Sequence, residues 1–346
     1  MNKKLRIILI VLAALVAAWI GLKKMTKIQK VQTYAMEEQD RLPVGRASIG
    51  VFEEYKVTGS TSRYDGLTLQ GDDAVSEPSF MAWVDRRWSE IQKADAKQDA
   101  EHRPKKYRPS PYEVGFKYGY FSVDAPGYKG ASFKGEGAVW MDNKALFIAP
   151  GGKIRADKMV PKIIDHVREM KSRNDKGYCL EFYCLDLPVS DNEASGVVLS
   201  FPNIPGFYMA VSIETYTSEQ NEYYSQRSPS ISGLSAGNIA YHVLGSEAKI
   251  VEIDGLKGEL DISGVSQGFP NGRYHNSVKT RWYHPGTSQD PNDPAITIDS
   301  IYSYETDHKP TREGWFDDET VKKTGFTPEK FMSMWEATLK SFKRNR

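Results

Sequence analysis

Residues 133–149, FKGEGAVWMDNKALFIA, decide the fold class because two apolar runs are separated by only two turn-forming residues. Residues 133–141 and 144–149 have the apolar and aromatic content of strands, and Asp142-Asn143 between them is typical of a tight hairpin. Such a turn joins antiparallel neighbours, whereas parallel strands need a long crossover. The stretch therefore predicts an antiparallel sheet.

Strand-like segments recur on both sides of this hairpin and outnumber the helices. Many of them are separated by short Gly- or Pro-containing turns, and residues 59–71 are expected to form a loop or a short hairpin. This pattern favours an α+β fold with antiparallel sheets over an alternating α/β fold. The other expected strands are residues 42–57, 112–122, 178–187, 196–201, 207–217, 248–253, 258–263, 278–283 and 295–304.

Three amphipathic helices are predicted. Apolar residues recur at helical spacing over residues 78–98, and a second pattern of this kind begins at Asp157. The last helix is expected over residues 331–342, where Thr327 can cap the N-terminus. The helices are too few to cover both faces of a parallel sheet, which again favours α+β.

A polar stretch at residues 217–232 predicts a boundary between two domains. The N-terminal domain is expected over residues 42–222 and the C-terminal domain over residues 233–346. Each is predicted to be an antiparallel sheet packed with one or two helices. Both lie behind an N-terminal anchor or signal helix with its connector, residues 1–30.

Residues 7–22 form an unbroken apolar run with basic flanks, the pattern of a secretory signal. Val16-Ala17-Ala18 would permit cleavage, but Trp19 and Ile20 continue the apolar run beyond those small residues. We therefore expect an uncleaved anchor. A helix of this run spans ~24 Å, and snorkelling lysines at both ends extend it towards a ~30 Å hydrocarbon core. The prediction is a periplasmic protein tethered to the inner membrane by residues 7–22.

The charge balance excludes the common electrostatic partners. Forty-six basic side chains against 45 acidic ones leave a net charge of +1, so nucleic acid is not an expected partner. The six histidines are scattered, with no pair at metal-ligand spacing, and no phosphate-binding loop occurs. No cofactor and no metal are therefore expected.

Cys179 and Cys184 are the only cysteines. In an extended strand they would lie ~16 Å apart and point to opposite faces, too far for a disulfide. The residues between them are poor turn formers, so both are expected to be unpaired. An oxidising compartment would permit the bond if the segment bends.

Gly233-Leu234-Ser235-Ala236-Gly237 fits the G-x-S-x-G elbow of serine hydrolases. The elbow requires a buried strand before the serine, yet residues 223–232 are mostly polar and contain a proline. A small-residue turn is the favoured interpretation, and no catalytic residue is predicted. A hydrolase using Ser235 remains the alternative, with acid and base drawn from Asp254, Asp299, His275, His284 and His308.

Four short motifs carry a family resemblance. They are Val44-Gly45-Arg46, Gly177-Tyr178-Cys179, Gly255-Leu256-Lys257-Gly258-Glu259, and a helical set of Met334-Trp335, Leu339-Lys340-Ser341 and Arg344. Together they resemble the two-domain immunity proteins that protect bacteria from type VI secretion lipase effectors, the Tle cognate immunity family. The resemblance implies an exported protein that binds a phospholipase effector and blocks its lid or active-site entrance. It transfers no catalytic residue.

A tight inhibitor needs a few aromatic or arginine side chains at the centre of its interface. Tyr223, Tyr224 and Arg227 near the domain boundary, with Trp282 and Tyr283 at a loop entrance, are the predicted partner-binding residues. Core packing is the alternative for Trp282. A membrane-tethered periplasmic binding or assembly protein with another partner is the alternative function.

Overall fold

The computed structural model describes residues 35–72, 75–95, 116–123, 134–141, 143–150, 163, 177–180, 184–185, 187–215, 240–308 and 324–345. Within this part of the chain the architecture is sheet with few helices, and each described strand pair is antiparallel. The predicted α+β class with antiparallel sheets is thereby confirmed.

The strands and helices are numbered in chain order. The first half contains β1 (Asp40–Val44), β2 (Ala47–Val51), β3 (Lys56–Tyr64), β4 (Leu67–Asp72), α1 (Glu77–Asp95), β5 (Phe116–Val123), β6 (Lys134–Met141), β7 (Lys144–Pro150), β8 (Tyr178–Cys179) and β9 (Cys184–Leu185). The second half contains β10 (Glu193–Ser200), β11 (Phe207–Glu214), β12 (Ala240–Ile253), β13 (Leu256–Gly268), β14 (Tyr274–His284), β15 (Ala295–Thr306), α2 (Pro328–Ser341) and β16 (Lys343–Arg344).

One 11-stranded sheet organises the described residues, in the order β12-β13-β14-β15-β11-β10-β3-β4-β7-β6-β5. A three-stranded sheet, β1-β2-β16, brings the start of the described chain beside its end. The two-residue strands β8 and β9 form a separate pair. The fold is therefore held by one long sheet and by two small sheets.

The turns follow the chemistry read from the sequence. β6 and β7 pair through Met141 and Lys144, and Asn143 adopts a φ of 63°, a left-handed conformation that asparagine tolerates. The predicted hairpin of residues 133–149 is confirmed. Between β3 and β4, Asp65 and Gly66 take φ values of 48° and 76°, so the hairpin alternative holds for residues 59–71.

Two of the three predicted helices are confirmed. α1 spans Glu77–Asp95, close to the expected residues 78–98. α2 begins at Pro328, and its N-cap Thr327 accepts a hydrogen bond from the Lys330 amide at 3.2 Å. Of the helix expected from Asp157, only Ile163 lies among the described residues, and it is helical and buried.

The main core lies between α2, the β1–β2 pair and one face of strands β10–β15. Its centre is aromatic: the Phe207 ring lies 5.2 Å from that of Phe326 and 5.8 Å from that of Phe331. Full burial of each such side chain contributes roughly 1.5–3 kcal/mol. A smaller core packs Phe80 and Val84 of α1 against β6 and β7.

The main core contains residues from both predicted domains. Strands β3, β10 and β11 of residues 42–222 pair in the same sheet as β15 of residues 233–346. The expected boundary at residues 217–232 lies outside the described residues, so the boundary stays a prediction. The predicted anchor, residues 7–22, also lies outside them. Among the described residues, no helix is long and apolar enough to cross a membrane.

The prediction that the cysteines are unpaired was wrong. Cys179 and Cys184 form a disulfide, with their Cα atoms 3.8 Å apart. The expected single strand over residues 178–187 is instead two short strands, which place Cys179 directly opposite Cys184. The propensities of the intervening residues favoured an extended segment, and tertiary contacts of Cys179 with Gly45 override them.

Candidate partner-binding surface

Two of the four resemblance motifs meet in a cluster named here the junction: Gly45, Arg46, Tyr178, Cys179 and Glu193. Backbone hydrogen bonds of 2.7 and 2.9 Å join Gly45 to Cys179 in both directions. Arg46 donates to both carboxylate oxygens of Glu193, at 2.8 and 2.7 Å. Such a two-pronged pair fixes both side chains in one geometry.

The junction is enclosed. Arg46 also donates to the carbonyl oxygens of Leu187 and Pro188, at 3.0 and 2.7 Å. These hydrogen bonds replace the ones that the guanidinium would make to water in the unfolded chain. The Tyr178 hydroxyl accepts a 2.8 Å hydrogen bond from Ser195. Burial raises the pKa of Tyr178 to about 12, although the bond from Ser195 lowers it. These contacts are internal and offer nothing to a partner.

The backbone at position 45 requires a glycine. Its φ is +56°, and a Cβ atom built there would lie 2.6 Å from Oγ of Ser195. Both the backbone conformation and the close approach therefore exclude a side chain. The first two motifs serve the fold.

The other two motifs meet at the hairpin between β12 and β13. Asp254 and Gly255 turn β12 into β13 with φ values of 49° and 76°. Arg344 reaches this turn and donates to the Asp254 carboxylate at 3.1 Å and to the Asp254 carbonyl at 3.0 Å. At Gly258 an added Cβ would lie 2.3 Å from the Trp282 ring. These motifs, too, hold the fold together.

A different surface remains for a partner. Alternate residues of β10, β11 and β15 are buried in the main core, and the residues between them lie on the opposite side of the sheet. We call this side of β10, β11, β13, β14 and β15 the outer face. Two large apolar side chains are exposed there on neighbouring strands, Val198 at 39% and Tyr208 at 47%. Ile301, which pairs with Tyr208, extends this apolar patch.

A row of charges crosses the outer face beside the apolar patch. Asp261, Arg281 and Asp299 are direct cross-strand neighbours on β13, β14 and β15. Arg281 donates to both carboxylate oxygens of Asp299, at 2.6 and 2.9 Å. Among the described residues, no side-chain hydrogen bond or ion pair reaches the Asp261 carboxylate, although Arg281 and Lys279 lie near enough to lower its pKa.

The electrostatics of the outer face are those of half-buried charges. Burial raises the pKa of Asp261, and the neighbouring Glu259 raises it further. Burial lowers the pKa of Lys279, and Arg281 adds to that effect. Neighbouring charges offset part of this effect, since Arg281 and Lys279 lower the pKa of Asp261, and Asp299 and Asp261 raise that of Lys279. Burial still outweighs these charges, so both groups would gain from a further charge of opposite sign brought by another molecule.

The described part of the chain contains no group of three histidine, cysteine or carboxylate side chains able to hold a metal ion. His284 is a structural residue, since one ring nitrogen lies 2.8 Å from the Lys257 carbonyl and the other 2.8 Å from the Asp293 carboxylate. Burial would raise the pKa of Asp293, but hydrogen bonds from His284 and Thr287 lower it overall. Ser235 lies outside the described residues.

The predicted partner-binding residues fall into two groups. Trp282 is fully buried and its indole donates to the Val251 carbonyl at 3.2 Å, so the core-packing alternative describes its position. Tyr283 is also buried. Tyr223, Tyr224 and Arg227 lie outside the described residues. A contact with a partner stays a prediction for all five.

Sequence reasoning missed the residues of the outer face, although a signal was present. β11 reads FYMAVSIE, in which Phe207, Met209 and Val211 face the core. Strict alternation would place polar residues between them, yet Tyr208 occupies such a position, as Val198 does on β10. Large apolar residues at outward positions of a strand are the signal for a surface that is covered by something else.

No protein-family model and no curated protein matches the chain. Solved structures do resemble it, and they are of type VI secretion immunity proteins. The immunity protein TplEi from Pseudomonas aeruginosa, complexed with an "L" peptide, has a TM-score of 0.56 at 13% identity, covering 89% of this chain and 99% of that chain. Apo TplEi from the same organism has a TM-score of 0.53 at 14% identity, covering 92% and 98%.

A chain of the Tle4–Tli4 complex is similar in the same way. Its TM-score is 0.56 at 13% identity, and the match covers 90% of this chain and 99% of that chain. At these identities the likeness establishes the fold. The chain therefore has the fold of these immunity proteins, which confirms at the level of structure the resemblance read from its motifs.

Proposed function

We propose that this protein is an immunity protein that binds and inhibits a type VI secretion lipase effector. The observation that carries the proposal is the fold likeness to TplEi and to a chain of the Tle4–Tli4 complex over 89–92% of this chain. The match also covers 98–99% of the similar chains, so it extends beyond a shared module. The protein acts by binding and needs no catalytic group of its own.

The outer face is the proposed effector-binding surface. Its apolar centre consists of Val198, Tyr208 and Ile301. The adjacent row of charges orients the bound effector. The occupant is a segment of the effector that carries an apolar side chain and a lysine or arginine. That cation pairs with Asp261, whose half-buried carboxylate makes no side-chain ion pair among the described residues, and adds to the counter-charge that the neighbouring cations of β14 supply.

The size of this surface fits the task. From β10 to β13 the outer face crosses five strands, a width of roughly 19 Å at ~4.8 Å per strand. A standard complex buries ~800 Å² on each partner, so the outer face is the centre of the interface rather than its whole extent. Tyr223, Tyr224 and Arg227 are proposed to contribute beyond it.

The proposed location is the periplasm, with residues 7–22 as an inner-membrane anchor. The apolar run and the Cys179–Cys184 disulfide support this location, since structural disulfides persist in oxidising compartments. A lipase effector acts on membrane lipid, and an anchor concentrates its inhibitor there. Tethering raises the local concentration without any new contact.

The function is tested with a lipase-like effector whose gene lies beside the gene of this protein. Residues 31–346 are expected to bind that effector with nanomolar affinity and to abolish its phospholipase activity at equimolar ratio. Binding without loss of activity would contradict inhibition. Absence of both binding and inhibition would leave a periplasmic binding protein with another partner.

The surface is tested separately with two matched substitutions. Tyr208→Ala removes an exposed ring from the outer face, and Val189→Ala removes an exposed side chain from the loop before β10. Tyr208→Ala is expected to weaken effector binding at least about tenfold, the loss of one interface hot spot. Equal affinities for the two variants would place the interface elsewhere, and alanine at Tyr223, Tyr224 and Arg227 together would then be the next variant.

A further inference from the structure

The Cys179–Cys184 hairpin is too short to hold itself together. β8 and β9 have two residues each and form a separate two-stranded pair. Even a longer isolated hairpin is marginal in water, because two strands cannot bury enough apolar surface. The disulfide supplies the cross-link that this pair lacks.

Both ends of the described chain rest on this hairpin. Near the start, Gly45 exchanges two backbone hydrogen bonds with Cys179. Near the end, Asn345 donates from its backbone amide to the Arg46 carbonyl at 2.7 Å and from its side chain to Sγ of Cys179 at 3.7 Å. A hairpin that opened would release contacts from both ends at once.

We propose that the cysteine pair is an oxidation site that completes the fold: a dithiol–disulfide oxidoreductase oxidises it after export, and the junction closes only then. The two thiols lose two protons and two electrons as the Sγ–Sγ bond forms. The disulfide of the oxidoreductase accepts those electrons and becomes two thiols, through a mixed disulfide. In a reducing compartment the chain is held in a less stable state with an open junction.

Closure also protects the bond. In the folded protein Cys179 and Cys184 are 1% and 2% exposed, so a thiolate cannot reach either sulfur. Oxidation therefore precedes closure of the junction, and reduction of the finished protein must wait for the junction to open. The disulfide therefore forms once, before the junction closes, and its formation does not depend on any effector.

The first experiment measures redox state. Cells that express the full chain with its own N-terminus, or a variant lacking residues 1–30 that stays in the cytoplasm, are quenched with acid. The denatured protein is then treated with a maleimide that adds mass to each free thiol. The full chain is expected to carry no adduct and the cytoplasmic variant two. Two adducts on the full chain would overturn the proposal.

The second experiment measures what the bond does. The melting temperature of the full chain in mild detergent is expected to fall by roughly 4 to 8 °C on reduction, given the short loop that the bond closes. The Cys179→Ser, Cys184→Ser double variant is the matched control, and its melting temperature is expected to be the same with and without the reductant. An unchanged melting temperature of the wild type, with two thiols shown to be free, would overturn the proposal.

A kinetic measurement does not depend on any variant folding. Reduction of the wild-type disulfide by a small thiol is expected to be at least roughly tenfold slower in native buffer than in denaturant, because the sulfurs are buried. Equal rates would mean that the junction does not enclose the bond.

Discussion

The junction and the outer face each contain an arginine with two hydrogen bonds to a carboxylate, and the two pairs serve different ends. Arg46 and Glu193 are surrounded by backbone carbonyls and packed against the disulfide hairpin. Arg281 and Asp299 lie on the outer face beside Asp261, a second carboxylate whose pKa burial still raises. The comparison teaches that an enclosed ion pair serves the fold, whereas a row of half-buried charges on an open sheet face is suited to a partner.

The largest expected effect lies at the junction. Arg46→Ala leaves Glu193 buried without its counter-charge and is expected to lower the free energy of unfolding by about 3–5 kcal/mol, as measured by urea denaturation. The double variant Arg46→Met, Glu193→Met removes both charges and should recover much of that loss. If Arg46→Ala were as stable as wild type, the pair would not hold the junction.

Next in size is a backbone effect at Gly45. Gly45→Ala is expected to destabilise the protein by about 1–3 kcal/mol, because φ is +56° and the new Cβ would meet Ser195. Gly255→Ala is the matched control, since its φ of +76° carries the strain but nothing lies within 4 Å of the added atom. Its cost should be about 1 kcal/mol, and equal costs would show that the contact with Ser195 is unimportant.

The same substitution at two acids of the outer face should have opposite consequences. Asp299→Asn weakens the pair with Arg281 and is expected to cost about 1 kcal/mol of stability in thermal unfolding. Asp261→Asn removes a half-buried charge that makes no side-chain ion pair among the described residues, so the melting temperature of the free protein should stay the same or rise. A destabilised Asp261→Asn would mean that this carboxylate already has an internal role.

The last expected effect is a pH dependence at the junction, which appears only in alkaline solution. The pKa of Tyr178 is raised to about 12 in the folded protein from 10.0, so its contribution to stability is complete below pH 10. That contribution is lost as pH rises from 10 towards 12, because the unfolded chain then ionises its tyrosine more readily. Tyr178→Phe should unfold with a weaker dependence on pH in this range. Parallel curves for the two proteins would contradict a buried neutral hydroxyl.

Local chemistry made much of the fold predictable. Asp142-Asn143 between two apolar runs gave the β6–β7 hairpin, and Thr327 gave the start of α2. The cysteine pair was not predictable, because the residue types at positions 180–183 favour an extended strand, and Gly45, which hydrogen-bonds to Cys179, lies far away in sequence. Periodicity also placed Trp282 on a strand without saying which face is buried.

The outer face was harder to predict for a physical reason. Val198 and Tyr208 are ten residues apart in sequence and become neighbours only through the β10–β11 register. Asp261 lies beside an arginine that hydrogen-bonds to Asp299, and the spacing of these residues in the sequence does not reveal that arrangement. The motifs that carried the family resemblance instead maintain turns and the junction, so they indicate the fold and not the interface.

The central claim is that this chain inhibits a lipase effector through its outer face, and one titration tests it. Phospholipase activity of the effector is measured against increasing amounts of wild-type protein and of Asp261→Arg, which reverses the charge of this half-buried side chain. We expect inhibition at equimolar wild type and a requirement for at least about tenfold more of the variant, since like charges at an interface repel. Equal inhibition by both would contradict the proposed surface, and no inhibition by wild type would contradict the proposed function.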